Sequence, residues 1–153
     1  MFFIPFSPQD KPIDDIKMPR TRSDYDLELY TNQPIRLVPL MPTEISLDIK
    51  MSFYTGSGNG RALMVTSHPK IAISDGIILI DSPRFFKNGD DIILNIMWTG
   101  ANTSLNNFQV DPVNGDSILI PHASPIAIGY RYKLEHLHKS EEDISEWVLL
   151  TRY

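Results

Sequence analysis

Asp81 is the residue around which a site for phosphate chemistry could be built. It ends the apolar run GIILID, and Arg84, Phe85 and Phe86 follow close behind it in SPRFF. A carboxylate at the end of a strand can orient a water molecule for in-line attack on phosphorus, provided that a metal ion neutralises the phosphates. The sequence equally allows Asp81 to end the strand and accept backbone N–H groups in the following turn.

Three other groups of residues were considered as sites. The stretch GSGNG (residues 56–60) resembles a phosphate cradle, but no Lys–Ser/Thr pair follows it, so the sequence favours a hairpin loop. His136 and His138 would share one side of a strand and could bind a metal, but the sequence offers no third ligand nearby. His122 follows Pro121 and is expected in a loop or an interface.

The composition is that of an ordinary globular protein. The chain has 153 residues, of which 42% are apolar and 22% charged, and this length suits one domain with a sizeable core. A net charge of −5 argues against binding to nucleic acid, and the lack of cysteine excludes disulfides and thiolate ligands. The apolar start is short and interrupted by Pro5 and Pro8, which predicts neither a signal peptide nor a membrane span. We therefore expect an intracellular protein (cytoplasm or nucleus) or a virion protein.

Short apolar runs separated by turn residues predict an all-β domain. Residues 1–23 hold four prolines and are expected to form an extended arm. Residues 24–135 carry the alternating runs of a sandwich or barrel, with KIAI (residues 70–73) among the expected strands. Residues 76–96 predict a hairpin with two phenylalanines exposed at its tip. In the tail, residues 136–153, SEEDISEWVLL predicts a helix and EWVLLTRY predicts a strand equally well.

Four segments in this order resemble the trimeric dUTPase family. SDYDLELY is similar to the family's GYDL, IRLVPLMPTEISLDIK to its ALVPTGI strand pair, GIILIDS to its GVIDxDYRG hairpin, and NNFQVDPVNGDSILI to its FxVxxGDRIAQ. The resemblance covers roughly residues 20–128. It implies a dUTPase-like distorted β-barrel or jelly roll (a β-clip), and a homotrimer with sites shared between subunits.

The resemblance also implies roles for individual residues. Asp81 matches the aspartate that orients the attacking water, and Phe85 or Phe86 would supply the aromatic face that stacks on the deoxyribose. Asp26 matches the aspartate that helps hold Mg²⁺ through water, although Asp24 and Asp26 are equally well explained as solvated residues at a strand start. The remaining matches are to positions that bind the nucleotide: Ser67, Gly115 and Asp116.

The chain departs from the family where a triphosphate would be held. No arginine lies in MVTSHP (residues 64–69), where the family's loop donates one, and Ser117 and Ile120 replace the Arg and Gln of GDRIAQ. The last residues, HLHKSEEDISEWVLLTRY, are unlike the family's glycine-rich lid. A triphosphate needs many donors and cations, so these replacements predict a weakened grip.

Three hypotheses follow. The first is a divergent dUTPase-like protein, such as a viral one, with lost or weakened dUTP hydrolysis, which acts through protein binding at Arg84, Phe85 and Phe86. The second is an active dUTP diphosphatase that uses Mg²⁺ to produce dUMP and pyrophosphate from a deoxyuridine nucleotide. The third is a structural virion or decoration β-protein. None of them involves nucleic acid or a membrane.

Overall fold

A computed structural model describes residues 2–6, 15–23, 26–52, 61–100, 108–110, 116–136 and 147–152. These residues form β-strands and one short helix, which confirms the predicted all-β class. The elements are β1 (Phe2–Pro5), β2 (Leu27–Tyr30), β3 (Ile35–Leu37), β4 (Thr43–Ser52), β5 (Arg61–Ser67), α1 (Pro69–Asp75), β6 (Ile77–Leu79), β7 (Arg84–Phe86), β8 (Asp91–Trp98), β9 (Gln109–Val110), β10 (Ile118–Ile120), β11 (Pro125–His136) and β12 (Trp147–Arg152).

The strands form three antiparallel sheets. The first has the order β1–β4–β8–β6, the second β12–β11–β5–β7, with β2 also paired to β11, and the third β3–β10–β9. In the part of the chain that the structure describes, no sheet closes on itself, so the architecture is a set of open sheets rather than a closed barrel. β6 and β7 are consecutive in the chain but lie at the edges of different sheets, so the turn between them joins two sheets.

The core lies between the sheets and follows the period of two that strands impose. In β8 the buried side chains alternate with half-exposed ones; the buried ones are Ile92, Leu94, Ile96 and Trp98. Gly129 of β11 is closely packed, since a Cβ atom there would lie 3.0 Å from the Cδ1 atom of Leu63 and 3.2 Å from that of Leu29. Both leucines are fully buried, so a larger residue at 129 would displace core packing.

The prediction of a strand at residues 70–73 is wrong, because this stretch lies in α1. Pro69 is at the first position of the helix, where its missing N–H costs nothing, and Gly76 ends the helix with a left-handed φ of 71°. Ile71 is buried while Ile73 is exposed, so only one side of the helix contacts the core. Pro69 and Gly76 were the sequence signals for this helix.

The predicted pairing of two strands within residues 76–96 is correct, and the predicted tip is wrong. β6 pairs with β8, with Ile77 opposite Trp98. The intervening RFF leaves this sheet and forms β7, in which Phe86 pairs with Leu63 of β5. Phe86 is therefore 2% exposed and belongs to the core, whereas Phe85 is 44% exposed. The expected pair of exposed phenylalanines is reduced to one.

The two ends of the chain pair with the sheets. β1, in the predicted N-terminal arm, pairs antiparallel with β4. β12 pairs antiparallel with β11, so Trp147–Arg152 form a strand, as one of the two interpretations of the tail predicted. Residues 56–60, Asp24 and His138 lie outside the described residues, as does the side chain of His136. No helix in the described ranges is long and apolar enough to cross a membrane.

Candidate functional site

Asp81 lies in the turn between β6 and β7, with its side chain half exposed. Its Oδ2 atom accepts a hydrogen bond of 2.9 Å from the Nδ2 atom of Asn95 and lies 3.7 Å from the Nη1 atom of Arg84. The turn is also held by the backbone N–H of Ile80, which donates to the carbonyl of Asn95 at 2.9 Å. The carboxylate is thus fixed against β8 and still reaches solvent, so it can accept further hydrogen bonds from a water molecule or a ligand.

Of the two phenylalanines predicted to stack on a nucleotide, only Phe85 offers an exposed ring. The Phe86 ring is in the core, and the guanidinium of Arg84 lies 5.3 Å from its centre, a cation–π distance. Phe85 stands opposite Met64 of β5 in the strand register. Because neighbouring side chains in a strand alternate, its ring lies on the other face of β7 from that of Phe86. The side chains that reach solvent around this turn are therefore the carboxylate of Asp81, the guanidinium of Arg84 and the ring of Phe85.

The other residues that the resemblance assigns to a nucleotide site make contacts inside the chain or lie elsewhere. Asp26 precedes β2, and its Oδ2 atom accepts the backbone N–H of Arg131 at 3.1 Å. The hydroxyl oxygen of Ser67 accepts the backbone N–H of Leu79 at 2.8 Å. Asp116 is exposed shortly before β10, and Gly115 lies outside the described residues.

A single chain does not bring Asp26 and Asp81 together. Strand register places Leu27, Gly129, Val65 and Arg84 in one row across the second sheet. Neighbouring strands are spaced by about 4.8 Å, so Leu27 and Arg84 are separated by roughly 14 Å. Asp26 adjoins one end of this row and the Asp81 turn adjoins the other, so the two residues lie at opposite ends of the row.

Asp26 is the residue that the resemblance places near Mg²⁺, through water. No group of three or more His, Asp or Glu side chains in the described part of the chain is close enough to hold a metal ion. The carboxylate of Asp26 accepts a backbone hydrogen bond from a neighbouring strand. We therefore derive no chemical step through a metal from these residues.

The sequence did not reveal a buried polar network that links β2 to the end of β5. Glu28 of β2 accepts a hydrogen bond of 2.8 Å from the Nε2 atom of His68, one of 2.7 Å from the Tyr30 hydroxyl and one of 3.0 Å from the Nε atom of Arg22. Arg22 also donates to the Tyr30 hydroxyl at 2.9 Å. His68 is only 3% exposed and Tyr30 is equally buried.

This network shifts the pKa values of Glu28 and Tyr30. Burial opposes the charge on Glu28, but hydrogen bonds from His68 and Tyr30, together with the positive charge of Arg22, outweigh burial and leave the pKa of Glu28 below its usual value. Because an ionised carboxylate only accepts hydrogen bonds, the Nε2 atom of His68 carries the proton in this contact. Burial, together with the hydrogen bond to Glu28, raises the pKa of Tyr30, which keeps its hydroxyl a donor.

The lowered pKa of Glu28 predicts that this network is lost in acid. A carboxyl whose pKa is lower in the folded state stabilises the fold above its ordinary pKa, near 4.5, and this contribution disappears as the pH falls through the folded value. Unfolding by urea, followed from pH 7 to pH 3, should show a steeper loss of stability in the parent protein than in Glu28→Gln. Equal slopes below pH 4.5 would contradict the prediction.

The strand arrangement is that of the dUTPases, as comparison with solved structures shows. A dUTPase from Streptococcus mutans superimposes with a TM-score of 0.64 at 10% identity, covering 87% of this chain and 95% of that chain. The dUTPase of Staphylococcus bacteriophage 80alpha bound to dUpNHpp gives 0.63 at 14% identity, with 93% and 88% covered. The D95N mutant dUTPase of phage phi11 of S. aureus, whose structure describes the coordination of a structural Mg(II) ion, gives 0.59 at 14%, with 86% and 94% covered.

These similarities establish the fold. No protein-family model matches the sequence, and no curated protein matches it either. The dUTPase-like fold inferred from the four sequence segments is thereby confirmed at the level of structure, at identities of 10–14% in these three comparisons.

Proposed function

We propose that the chain is a dUTPase-fold protein in which dUTP hydrolysis is lost or weakened and which acts by binding another protein. One observation supports this above the others: residues expected to contact a nucleotide are used inside the chain. The hydroxyl oxygen of Ser67 accepts a backbone N–H, and the ring of Phe86 is in the core. The arginine of the family's phosphate loop is also missing, so the chain offers few cationic donors for a triphosphate.

Phosphoryl transfer depends on such donors, because catalysis consists almost entirely of positioning and charge stabilisation. Loss of a single well-placed donor slows enzymes by about 100-fold to 1,000-fold. A role beyond hydrolysis has a precedent in a structural neighbour: phage dUTPases, including that of 80alpha, are described as controlling the transfer of virulence genes by a G protein-like mechanism. For this chain, the exposed Phe85 beside Arg84 is the surface we propose for a protein contact.

Turnover of dUTP tests this proposal. Incubated with dUTP and Mg²⁺, the purified protein should release pyrophosphate at least about 100-fold more slowly than the S. mutans dUTPase under the same conditions. Binding of dUpNHpp, measured by thermal shift, should be weak for the same reason. Efficient turnover that disappears in Asp81→Asn would overturn the proposal.

One observation favours the alternative of an active dUTP diphosphatase. Asp81 is half exposed, and the guanidinium of Arg84 lies 3.7 Å from it, so a positive charge stands beside the carboxylate despite the missing loop arginine. Under this alternative, Arg84→Gln would lower the turnover strongly while leaving stability nearly unchanged. Under our proposal the parent protein already turns dUTP over at least about 100-fold more slowly than the S. mutans dUTPase, whether or not Arg84 is present.

We further propose that the chain assembles as a homotrimer, on the basis of its resemblance to trimeric dUTPases. The separation of Asp26 from Asp81 within one chain supports a site shared between subunits, as does the match in fold. Light scattering coupled to size-exclusion chromatography should give three times the 17.4 kDa mass of the chain. A mass of one chain would contradict the assembly.

A further inference from the structure

β3 and β4 follow one another in the chain but are not paired with each other. β3 pairs with β10, and residues 43–46 of β4 pair with β8. β1 pairs with the other edge of β4 at residues 49–52, and the backbone N–H of Phe6 donates to the carbonyl of Asp48 at 3.0 Å. In the described part of the chain, the facing edges of β3 and of residues 43–46 are therefore joined by no strand pairing.

A groove of about 250 Å³ lies between these two edges. We call it the β3/β4 groove. One wall is residues 33–36 and the other is residues 43–46. Backbone N–H and C=O groups at a strand edge form a template for another strand, so both walls offer main-chain partners.

The side chains of the groove alternate as in any strand. Ile45 is buried and Ile35 half-buried, and they form an apolar floor. Arg36 and Glu44 are exposed on opposite walls. The ion pairs found among the described residues include neither of them, so each charge is available to a ligand.

We propose that the β3/β4 groove binds an extended peptide of a partner protein as an added strand. Recognition by strand addition takes its affinity from main-chain hydrogen bonds and its specificity from alternate side chains. The volume is below the 300–1,000 Å³ typical of small-molecule pockets, and two strand edges are poor walls for a compact ligand. The charges of Arg36 and Glu44 select a peptide carrying one acidic and one basic residue.

The alternation of side chains specifies the sequence further. In an added strand, neighbouring side chains point to opposite faces, so the middle residue faces the floor of Ile35 and Ile45 while its two neighbours face the rim. The favoured motif is an acidic residue, a β-branched apolar residue and a basic residue. This inference deepens the protein-binding part of the proposed function and rests on it, but it concerns a surface separate from the Asp81 turn.

The probe is the blocked peptide acetyl-Thr-Glu-Val-Lys-Thr-amide, together with its reversed sequence, titrated against the full-length protein by NMR. Binding should shift backbone amides of residues 35–37 and 43–46 and slow their hydrogen exchange. A peptide methylated on the valine nitrogen should bind much more weakly, because it has lost the central main-chain donor. Equal binding by the methylated peptide, or shifts spread away from the groove, would overturn the proposal.

Variants of the rim give a test that misfolding cannot imitate. Arg36→Gln and Glu44→Gln should each weaken binding by about threefold, the range of an exposed ion pair. Arg36→Glu should reverse the preference, so that a Lys-Val-Lys peptide binds better than Glu-Val-Lys. Lys70→Gln, an exposed charge on α1, is the matched control and should bind as the parent does.

Two further outcomes are decisive. If the groove signals shift with protein concentration in the absence of peptide, a second copy of the chain occupies the groove and the proposal is wrong. If no peptide binds while dUTP turnover is still slow, the groove inference fails and the loss of hydrolysis stands. If peptides bind and dUTP is turned over efficiently, the groove inference survives and only the loss of hydrolysis fails.

Discussion

Replacing Glu28 by alanine should lower the free energy of unfolding by about 3 kcal/mol. The change removes the acceptor shared by His68, Tyr30 and Arg22, and the first two are buried. Each buried donor left without a partner costs about 1–3 kcal/mol, and the change leaves two such donors, on His68 and Tyr30. Arg22 is half exposed and regains water, so its share of the loss is small.

Urea unfolding at fixed protein concentration and pH 7 measures this loss. Glu44→Ala is the matched control, because Glu44 is also a glutamate on a strand but is exposed, and it should change stability by less than about 0.5 kcal/mol. The double variant Glu28→Ala/His68→Ala should lose less free energy of unfolding than the sum of the losses in the two single variants, since both changes remove the same contact. Equal effects of Glu28→Ala and Glu44→Ala would show that the network contributes nothing.

The network also shows where sequence reasoning stops. Glu28 and Tyr30 alternate with Leu27 and Leu29, so the strand itself was predictable, and a polar face turned to solvent was the natural expectation. The structure instead covers this face, with Glu28 and Tyr30 buried against His68 from forty residues away. Only the fold brings these side chains together, and no spacing of residues along the sequence indicates the contact.

For the helix α1 and the Asp81 turn, in contrast, the sequence did contain local signals. Pro69 and Gly76 flank the helix as start and stop signals, and they were outweighed by the apolar residues between them, which also suit a strand. Asp81 was predicted where a strand ends, and it lies in the turn two residues after the last residue of β6. Its partner Asn95 was not predictable, because the pairing register of β6 on β8 decides which side chain stands opposite the turn.

Replacing Phe86 by alanine should lower the free energy of unfolding by about 3–5 kcal/mol, whereas Phe85→Ala should cost less than about 1 kcal/mol. The two residues are neighbours of the same type on the same strand, so intrinsic strand preference cancels in the comparison. Phe86 is 2% exposed and packs in the core beneath Arg84, while Phe85 is 44% exposed on the other side. Truncation of Phe86 leaves a cavity, and truncation of Phe85 does not.

The two variants should also separate stability from binding. Phe86→Ala loosens β7 against β5 and with it the turn that carries Asp81, so it should weaken any ligand at this edge through the fold. Phe85→Ala leaves β7 in place and removes only the exposed ring, so a loss of nucleotide or partner binding in a stable Phe85→Ala protein identifies a direct contact. Urea unfolding gives the first comparison and a thermal shift with dUpNHpp the second. Equal destabilisation by both changes would mean that β7 does not lie against β5 as described, and that the sequence expectation of an exposed hairpin tip was right after all.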